Sequence, residues 1–224
     1  MNKTLLSVFG ALCLTLPAFA FPTNPEGVRY NSNDSLGCLM LGDCTDEVTA
    51  ITSVEELQAA LPDSTYDTHA EELDLLFSAL NDSGVQVHLA HEDYFPSRHR
   101  GIYDVAGNNF FLNVEYVWDE DHMIQVMRHE GWHAAQDCMA GTIDNTFTAV
   151  ILQDGVVPEY IIETVARTYP PKPRPWENEA FFAATQPGMT AEALAACASE
   201  QPMWEVYTPT PMTREWLYNE GWIE

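Results

Sequence analysis

Two histidines and a glutamate near the middle of the chain have the spacing of a metal site. His129, Glu130 and His133 match the pattern H-E-x-x-H within the stretch V-M-R-H-E-G-W-H. On an α-helix, residues four apart lie on the same face, one turn above the other. Two imidazoles so placed can bind one Zn²⁺, and Glu130 can reach a water held by that metal. The pattern therefore predicts a zinc site with Glu130 as general base.

The residues around the motif favour an α-helix. The acidic run 119–121 can cap its N-terminus, and Gly141 suits the position just after its C-terminus. The histidines fall on one stripe of this helix, and small or apolar residues fall on another. We therefore expect a metal-bearing helix packed against a core. A chance match to the motif is the alternative, and it predicts an acidic exported protein without bound metal.

A catalytic zinc site usually has three protein ligands, so a third ligand has to be found. The metzincin pattern needs Gly three residues and His or Asp six residues after the second histidine, where this chain has Gln136 and Met139. That option is excluded. A distant histidine remains open without support from spacing; the candidates are His88, His91, His99 and His122. A glutamate on a downstream helix is the other option.

The stretch Asn178-Glu179-Ala180 resembles the N-E-A of the thermolysin-type metallopeptidases, which belong to the gluzincins. The resemblance implies that Glu179 is the third ligand, beside His129 and His133, and that Glu130 is the catalytic base. Glu163 and Glu177 remain the alternative ligands.

The chain departs from the thermolysin-type pattern at two points. Glu179 follows His133 by 46 residues, a longer interval than in that pattern. Ala183 stands where the pattern has an Asp that orients a ligand histidine. Such partners fix the tautomer of the imidazole, so the orienting group is expected elsewhere in this chain.

The order of elements predicts an α+β fold with a mostly helical C-terminal half. A helix over 68–80, a strand over 85–90 and a hairpin of strands 101–105 and 109–114 precede the metal helix. This order resembles the minimal zincin core, in which a small twisted sheet packs on the H-E-x-x-H helix. The resemblance implies an edge strand beside the cleft, expected at 109–113, which can bind an extended peptide by strand addition.

Residues 1–20 predict a secretory signal peptide. Lys3 supplies the basic start, an apolar run follows, and Ala18-Phe19-Ala20 is a cleavage site. We expect a secreted or periplasmic protein with an irregular N-terminal segment over 21–50 and a single domain over 51–224. No later stretch is long and apolar enough to span a bilayer.

Four cysteines follow the predicted signal peptide: Cys38, Cys44, Cys138 and Cys197. An even number in an exported chain favours two disulfides. Three pairings are possible, and we expect Cys38–Cys44 and Cys138–Cys197. Free buried thiols are the alternative. Zinc bound by cysteine is disfavoured because no C-x-x-C spacing occurs.

The net charge of −25, from 34 acidic and nine basic residues, argues against nucleic acid or an anionic membrane as partner. The expected function is that of a secreted zinc metallopeptidase acting on a peptide or protein through a zinc-activated water. An exported, non-catalytic zinc-binding or interaction domain is the alternative. The residues that can stabilise the oxyanion are Tyr160, Tyr169, Arg167 and His122.

Overall fold

The computed structural model describes residues 35–44, 48–96, 99–141 and 147–224, and the predicted signal peptide lies outside these ranges. The helices are α1 Ser35–Leu41, α2 Val54–Ala60, α3 Ala70–Asp82, α4 Val114–Val117, α5 Glu120–Met139, α6 Glu159–Thr168, α7 Arg174–Ala184, α8 Met189–Cys197, α9 Met203–Val206 and α10 Pro211–Asn219. The strands are β1 Val48–Ile51, β2 Gln86–Ala90, β3 Gly101–Asp104 and β4 Asn109–Asn113. The fold is α+β, as predicted.

The four strands form one mixed sheet in the order β1-β2-β4-β3. β2 runs parallel to β4, whereas β1 is antiparallel to β2 and β3 is antiparallel to β4. The turn between β3 and β4 contains Asn108 at φ 53°, a left-handed conformation that Asn tolerates better than most residues. The predicted hairpin is thereby confirmed.

The strand at this edge of the sheet is β3, whereas the sequence led us to expect β4 there. β4 lies between β2 and β3, and all five of its residues are buried. Phe110 and Leu112 belong to the main core, whereas Phe111 belongs to a smaller cluster on the other face. A strand covered on both faces has a nearly continuous apolar sequence, as here. The prediction that 109–113 is the edge strand is therefore wrong.

The main core lies between one face of the sheet and the helices α3, α5 and α8. It takes buried residues from Ile51 through Met203 and includes the fully buried Trp132 of α5. The predicted apolar stripe of α3 is part of it: Leu73, Leu76, Phe77 and Leu80.

Helix α1 covers the opposite face of the sheet. Its Leu39 packs in the smaller cluster with Ala90, Phe95 and Phe111. Residues 21–50 were expected to be irregular, but the described part of that segment contains α1 and the start of β1. The apolar run Leu39-Met40 supplies the surface that makes this helix pack.

Two disulfides join Cys38 to Cys44 and Cys138 to Cys197, with Cα–Cα distances of 5.2 Å and 5.9 Å. The predicted pairing is confirmed. The second bond ties the end of α5 to the end of α8. Disulfides persist in oxidising compartments, so the chain suits an extracellular environment. Among the described residues, no helix is long and apolar enough to cross a membrane.

A partly buried ion pair joins α5 to α3. Arg128 Nη2 lies 2.5 Å from Glu72 Oε2, and its Nε donates to Glu72 Oε1 at 2.8 Å. Oε1 also accepts the backbone N–H of Gly188, just before α8. Burial alone would raise the pKa of Glu72, but the hydrogen bonds from Arg128 and Gly188 outweigh it and hold the pKa below its ordinary value.

Candidate metal centre

Helix α5 carries the two motif histidines on one face. It begins after Asp119, whose carboxylate accepts the backbone N–H of His122 at 3.0 Å, as the sequence predicted for this cap. The rings of His129 and His133 have their centroids 5.1 Å apart and their planes at 84°. Both side chains are 15 % exposed, so they reach the cleft without being fully solvated.

Helix α7 brings Glu177 to these histidines. Its Oε2 lies 3.4 Å from Nε2 of His129, and its Oε1 lies 3.7 Å from Nε2 of His133. Ligands of a tetrahedral zinc at about 2.0–2.1 Å are separated by about 3.3 Å, so these distances suit one ion. Within the described part of the chain, His129, His133 and Glu177 are the group of three whose ligand atoms all lie within 4.8 Å of one another.

Glu179, the expected third ligand, lies outside this group. Its side chain is buried, and its carboxylate accepts the backbone N–H groups of Ile151 at 3.1 Å and Leu152 at 2.5 Å. Trp132 Nε1 and Gln136 Nε2 also donate to Glu179 Oε2. Burial raises the pKa of Glu179, and these hydrogen bonds oppose the rise. The structure therefore brings Glu177, and not the expected Glu179, to the two histidines.

The orientation of α7 about its own axis explains why Glu177, rather than Glu179, faces the histidines. Trp176, Glu179, Ala180 and Ala183 follow the i, i+3, i+4, i+7 spacing of a core-facing stripe. Glu179, Ala180 and Ala183 are indeed buried. Glu177 lies on the neighbouring face with Phe181, whose ring meets that of His129 edge-on at 4.8 Å. The spacing of this stripe in the sequence indicates that Glu179 faces the core and that Glu177 does not. The N-E-A resemblance pointed to Glu179 as the ligand instead.

The other candidate ligands lie elsewhere. Glu163 is 58 % exposed and pairs with Arg167 on the surface of α6. His88 is buried in the sheet beside Asn109, His91 lies beside Asp93, and His122 lies beside Asp119. His99 alone of the four histidines lines the cleft, and it is not within the group of close ligand atoms.

Strand β3 holds Glu130 against the cleft. The backbone N–H of Tyr103 donates to Glu130 Oε2 at 3.1 Å. Strand and helix approach closely at Gly101, where a Cβ would lie 2.7 Å from Val126 Cγ1 and 2.9 Å from Glu130 Cγ. Burial, reinforced by the charge of Glu177 and opposed by that of His133, raises the pKa of Glu130 to about 7. Such a carboxyl group can both accept and return a proton near neutral pH.

Tyr169 supplies a hydroxyl beside the candidate ligands. It donates a hydrogen bond to Glu177. Burial and the carboxylates of Glu177 and Glu130 raise the pKa of Tyr169, so its hydroxyl stays protonated. Burial opposes ionisation of Glu177, but hydrogen bonds and charges from His129, His133 and Tyr169 outweigh it and lower the pKa of Glu177. The site therefore contains an ionised candidate ligand, Glu177, and a protonated donor, Tyr169.

Among the four residues expected to stabilise an oxyanion, Tyr169 is the one that lines the cleft. Tyr160 is 62 % exposed on α6, and Arg167 pairs with Glu163 on the same helix. His122 lies near the start of α5, about two turns before His129. The structure thus brings one of the four to the motif.

An open cleft of about 330 Å³ lies over these groups. One wall is the edge strand β3, through Gly101, Ile102 and Tyr103, and the floor is α5. Thr148, Tyr169, Pro173 and Trp176 also line the cleft. The sheet edge and the two histidines therefore face the same space.

Comparisons of this chain with protein-family models, with curated proteins and with solved structures found no match. The assignment of function below therefore relies on the geometry of the site.

Proposed function

We propose that this protein is a zinc-dependent peptidase with a zincin-like active site. The observation that carries the proposal is the meeting of His129 and His133 with the Glu177 carboxylate, with Glu130 adjacent, in an open cleft. Two imidazoles and one carboxylate are a donor set that zinc takes in catalytic sites. Zinc is the cofactor that these residues would hold.

Each residue of the cleft has a distinct role in the proposed hydrolysis. When bound, zinc acts as a Lewis acid and lowers the pKa of a coordinated water to about 7. Glu130 accepts the proton of the attacking water and delivers it to the leaving amine. The protonated Tyr169 hydroxyl, whose one proton is donated to Glu177 in the free protein, would turn to donate to the oxyanion that develops on the substrate carbonyl.

The edge strand supports a peptide as substrate. Among the described strands, β3 pairs with β4 alone, and its residues line the cleft beside Glu130, which accepts the N–H of Tyr103. An extended peptide can pair with such an edge through its main chain, which presents a scissile carbonyl to the neighbouring groups. We infer from this pairing that the substrate is a peptide. Its preferred sequence would depend on the other side chains that line the cleft.

A closed structural zinc site is less well supported. Such a site needs four protein ligands, and the described residues bring three ligating side chains together. Cys38, Cys44, Cys138 and Cys197 are all engaged in disulfides, so none of them is available as a ligand. An open coordination position favours catalysis over a purely structural role.

The decisive experiment compares Glu130→Gln and His129→Ala with the wild type, by zinc content and by hydrolysis of a mixed peptide library. Wild type and Glu130→Gln should each hold one zinc, with turnover reduced at least about 100-fold in the variant. His129→Ala should lose both zinc and turnover. The exposed Glu163→Gln is the matched control and should behave as wild type.

Two results would overturn the proposal. One is a wild-type protein that binds no zinc under conditions in which it is folded. The other is a Glu130→Gln protein that cleaves peptides at the wild-type rate, since a general base cannot be replaced by an amide.

A further inference from the structure

Gln136 contacts a candidate zinc ligand from within the same helix. It follows His133 by three residues on α5, and its Oε1 lies 2.8 Å from His133 Nδ1. Gln136 has no exposed surface. An amide completely removed from water needs hydrogen-bond partners for both its oxygen and its nitrogen.

The nitrogen of this amide has two acceptors. Gln136 Nε2 donates to Glu179 Oε2 at 2.7 Å and to the backbone carbonyl of Trp176 at 3.2 Å. A carbonyl oxygen only accepts, so the amide cannot be turned round without opposing oxygen to oxygen. Its oxygen therefore faces His133.

Glu179 is itself held in place. Its carboxylate accepts N–H groups from the backbone of Ile151 and Leu152 and from the side chain of Trp132. These donors come from α5 and from the segment that precedes α6, so the carboxylate is fixed from two sides. The carboxylate in turn fixes Gln136.

The chain of contacts determines where His133 carries its proton. An oxygen at 2.8 Å requires an N–H at Nδ1, which leaves the lone pair on Nε2. Nε2 is the atom that faces Glu177. We propose that Gln136 and Glu179 are positioning residues that hold His133 in the tautomer and orientation that bind zinc through Nε2.

This inference rests on the proposed function, because it treats His133 as a zinc ligand. It also supplies the histidine-orienting group that was expected elsewhere in this chain. In this protein the orienting group is the Gln136 amide on the metal helix, and Glu179 acts through that amide. Partners of this kind typically contribute about 10- to 100-fold to metal affinity.

The first test measures zinc affinity by competition with a chelator. Gln136→Met keeps the length of the side chain but removes the acceptor, and it should weaken zinc binding about 10- to 100-fold. Gln153→Met is the matched control. Gln153 is exposed and donates to the Thr208 carbonyl, away from the cleft, so this variant should bind zinc as the wild type does. A folded Gln136→Met protein with wild-type affinity would overturn the inference.

The second test needs no variant and remains decisive if Gln136→Met does not fold. In ¹⁵N-labelled, zinc-loaded wild type, His133 should show an Nδ1–H proton that exchanges slowly with water. Coordination through Nδ1, or a rapidly exchanging Nδ1–H, would overturn the inference and leave the proposed peptidase intact. A wild type that binds no zinc would instead overturn the proposed function itself.

Discussion

Glu177 and Glu179 lie two residues apart on α7, and their carboxylates meet different partners. Glu177 Oε2 lies 3.4 Å from His129 Nε2, in the cleft. Glu179 accepts backbone N–H groups from Ile151 and Leu152, in the core. Residues two apart on a helix are separated by about 200° around its axis, so α7 cannot direct both carboxylates to the two histidines.

Glu177→Gln should therefore mainly weaken zinc binding, and Glu179→Gln should mainly lower stability. Glu177→Gln should lose more than about 100-fold in zinc affinity, since a ligand contributes more than an orienting partner, and should still fold. Glu179→Gln should lower the free energy of unfolding by about 1–3 kcal/mol, because one buried N–H loses its acceptor, and should weaken zinc binding by less than Glu177→Gln does, because it acts only through Gln136. Zinc titration and urea unfolding of both proteins separate these effects. Wild-type zinc affinity in Glu177→Gln would contradict the assignment of the third ligand.

Tyr169 should affect turnover more than metal binding. Tyr169→Phe removes the hydroxyl beside Glu177, and kcat should fall about 100-fold, as for the loss of one oxyanion donor. Zinc content should remain at one per chain. Tyr160→Phe is the control, since Tyr160 is exposed on α6 and does not line the cleft. Equal kcat values for the Tyr169 variant and the wild type would exclude Tyr169 as the donor.

Local patterns in the sequence predicted local structure well. The Asp119 cap, the hairpin around Asn108 and both disulfides are present in the structure. Each depends on residues whose preferences act over a few positions or, for cysteine, on a chemistry with few alternatives. The H-E-x-x-H spacing likewise placed His129 and His133 on one helix face.

What the sequence did not predict depends on contacts between distant elements. The order of strands puts β3 rather than β4 at the edge, and this follows from the pairing of β2 with β4 across the sheet. The choice between Glu177 and Glu179 depends on how α7 packs against Trp132 and the segment at Ile151. The strand order has no local signature, because the strands that pair are far apart along the chain. The stripe on α7 marks Glu179 as core-facing, but which carboxylate reaches the histidines depends on partners that are distant in the sequence.

The ion pair between Glu72 and Arg128 should make stability depend on acid pH. The folded-state pKa of Glu72 is below its ordinary value of about 4.5, so its ionisation favours the folded protein. The stabilisation is present above about pH 4.5 and is lost as the pH falls through the lower folded value. At pH 7, Glu72→Gln should lose about 1–3 kcal/mol, because the mostly buried Arg128 loses its ionised partner and keeps the Ala184 carbonyl.

Urea unfolding in the presence of a chelator, at about pH 7 and about pH 3.5, measures this difference without a contribution from metal. The gap between wild type and Glu72→Gln should narrow at the lower pH. The neighbouring Glu71 is exposed, so Glu71→Gln should match the wild type at both values. A gap that widened in acid would mean that ionisation of Glu72 destabilises the folded protein, contrary to the expected sign.

The two disulfides should differ in their effect on stability. Cys138–Cys197 closes a loop of 59 residues, and its removal by paired serine substitutions should lower the free energy of unfolding by about 4 kcal/mol. Cys38–Cys44 closes a loop of six, and its removal should lower that free energy by about 2 kcal/mol. Denaturant titration of both double variants checks the order, and a larger loss for the shorter loop would refute it.

Tyr103 fastens the edge strand to the metal helix at two levels. Its backbone N–H binds Glu130, and its hydroxyl donates to Asp137 Oδ2 at 2.7 Å, about two turns further along α5. Tyr103 therefore holds β3 against α5 at two points about two turns apart on the helix. In the proposed peptide complex, β3 and Glu130 would form a rigid part of the cleft, so different substrate side chains would have to be accommodated by other lining residues, such as Pro173 and Trp176.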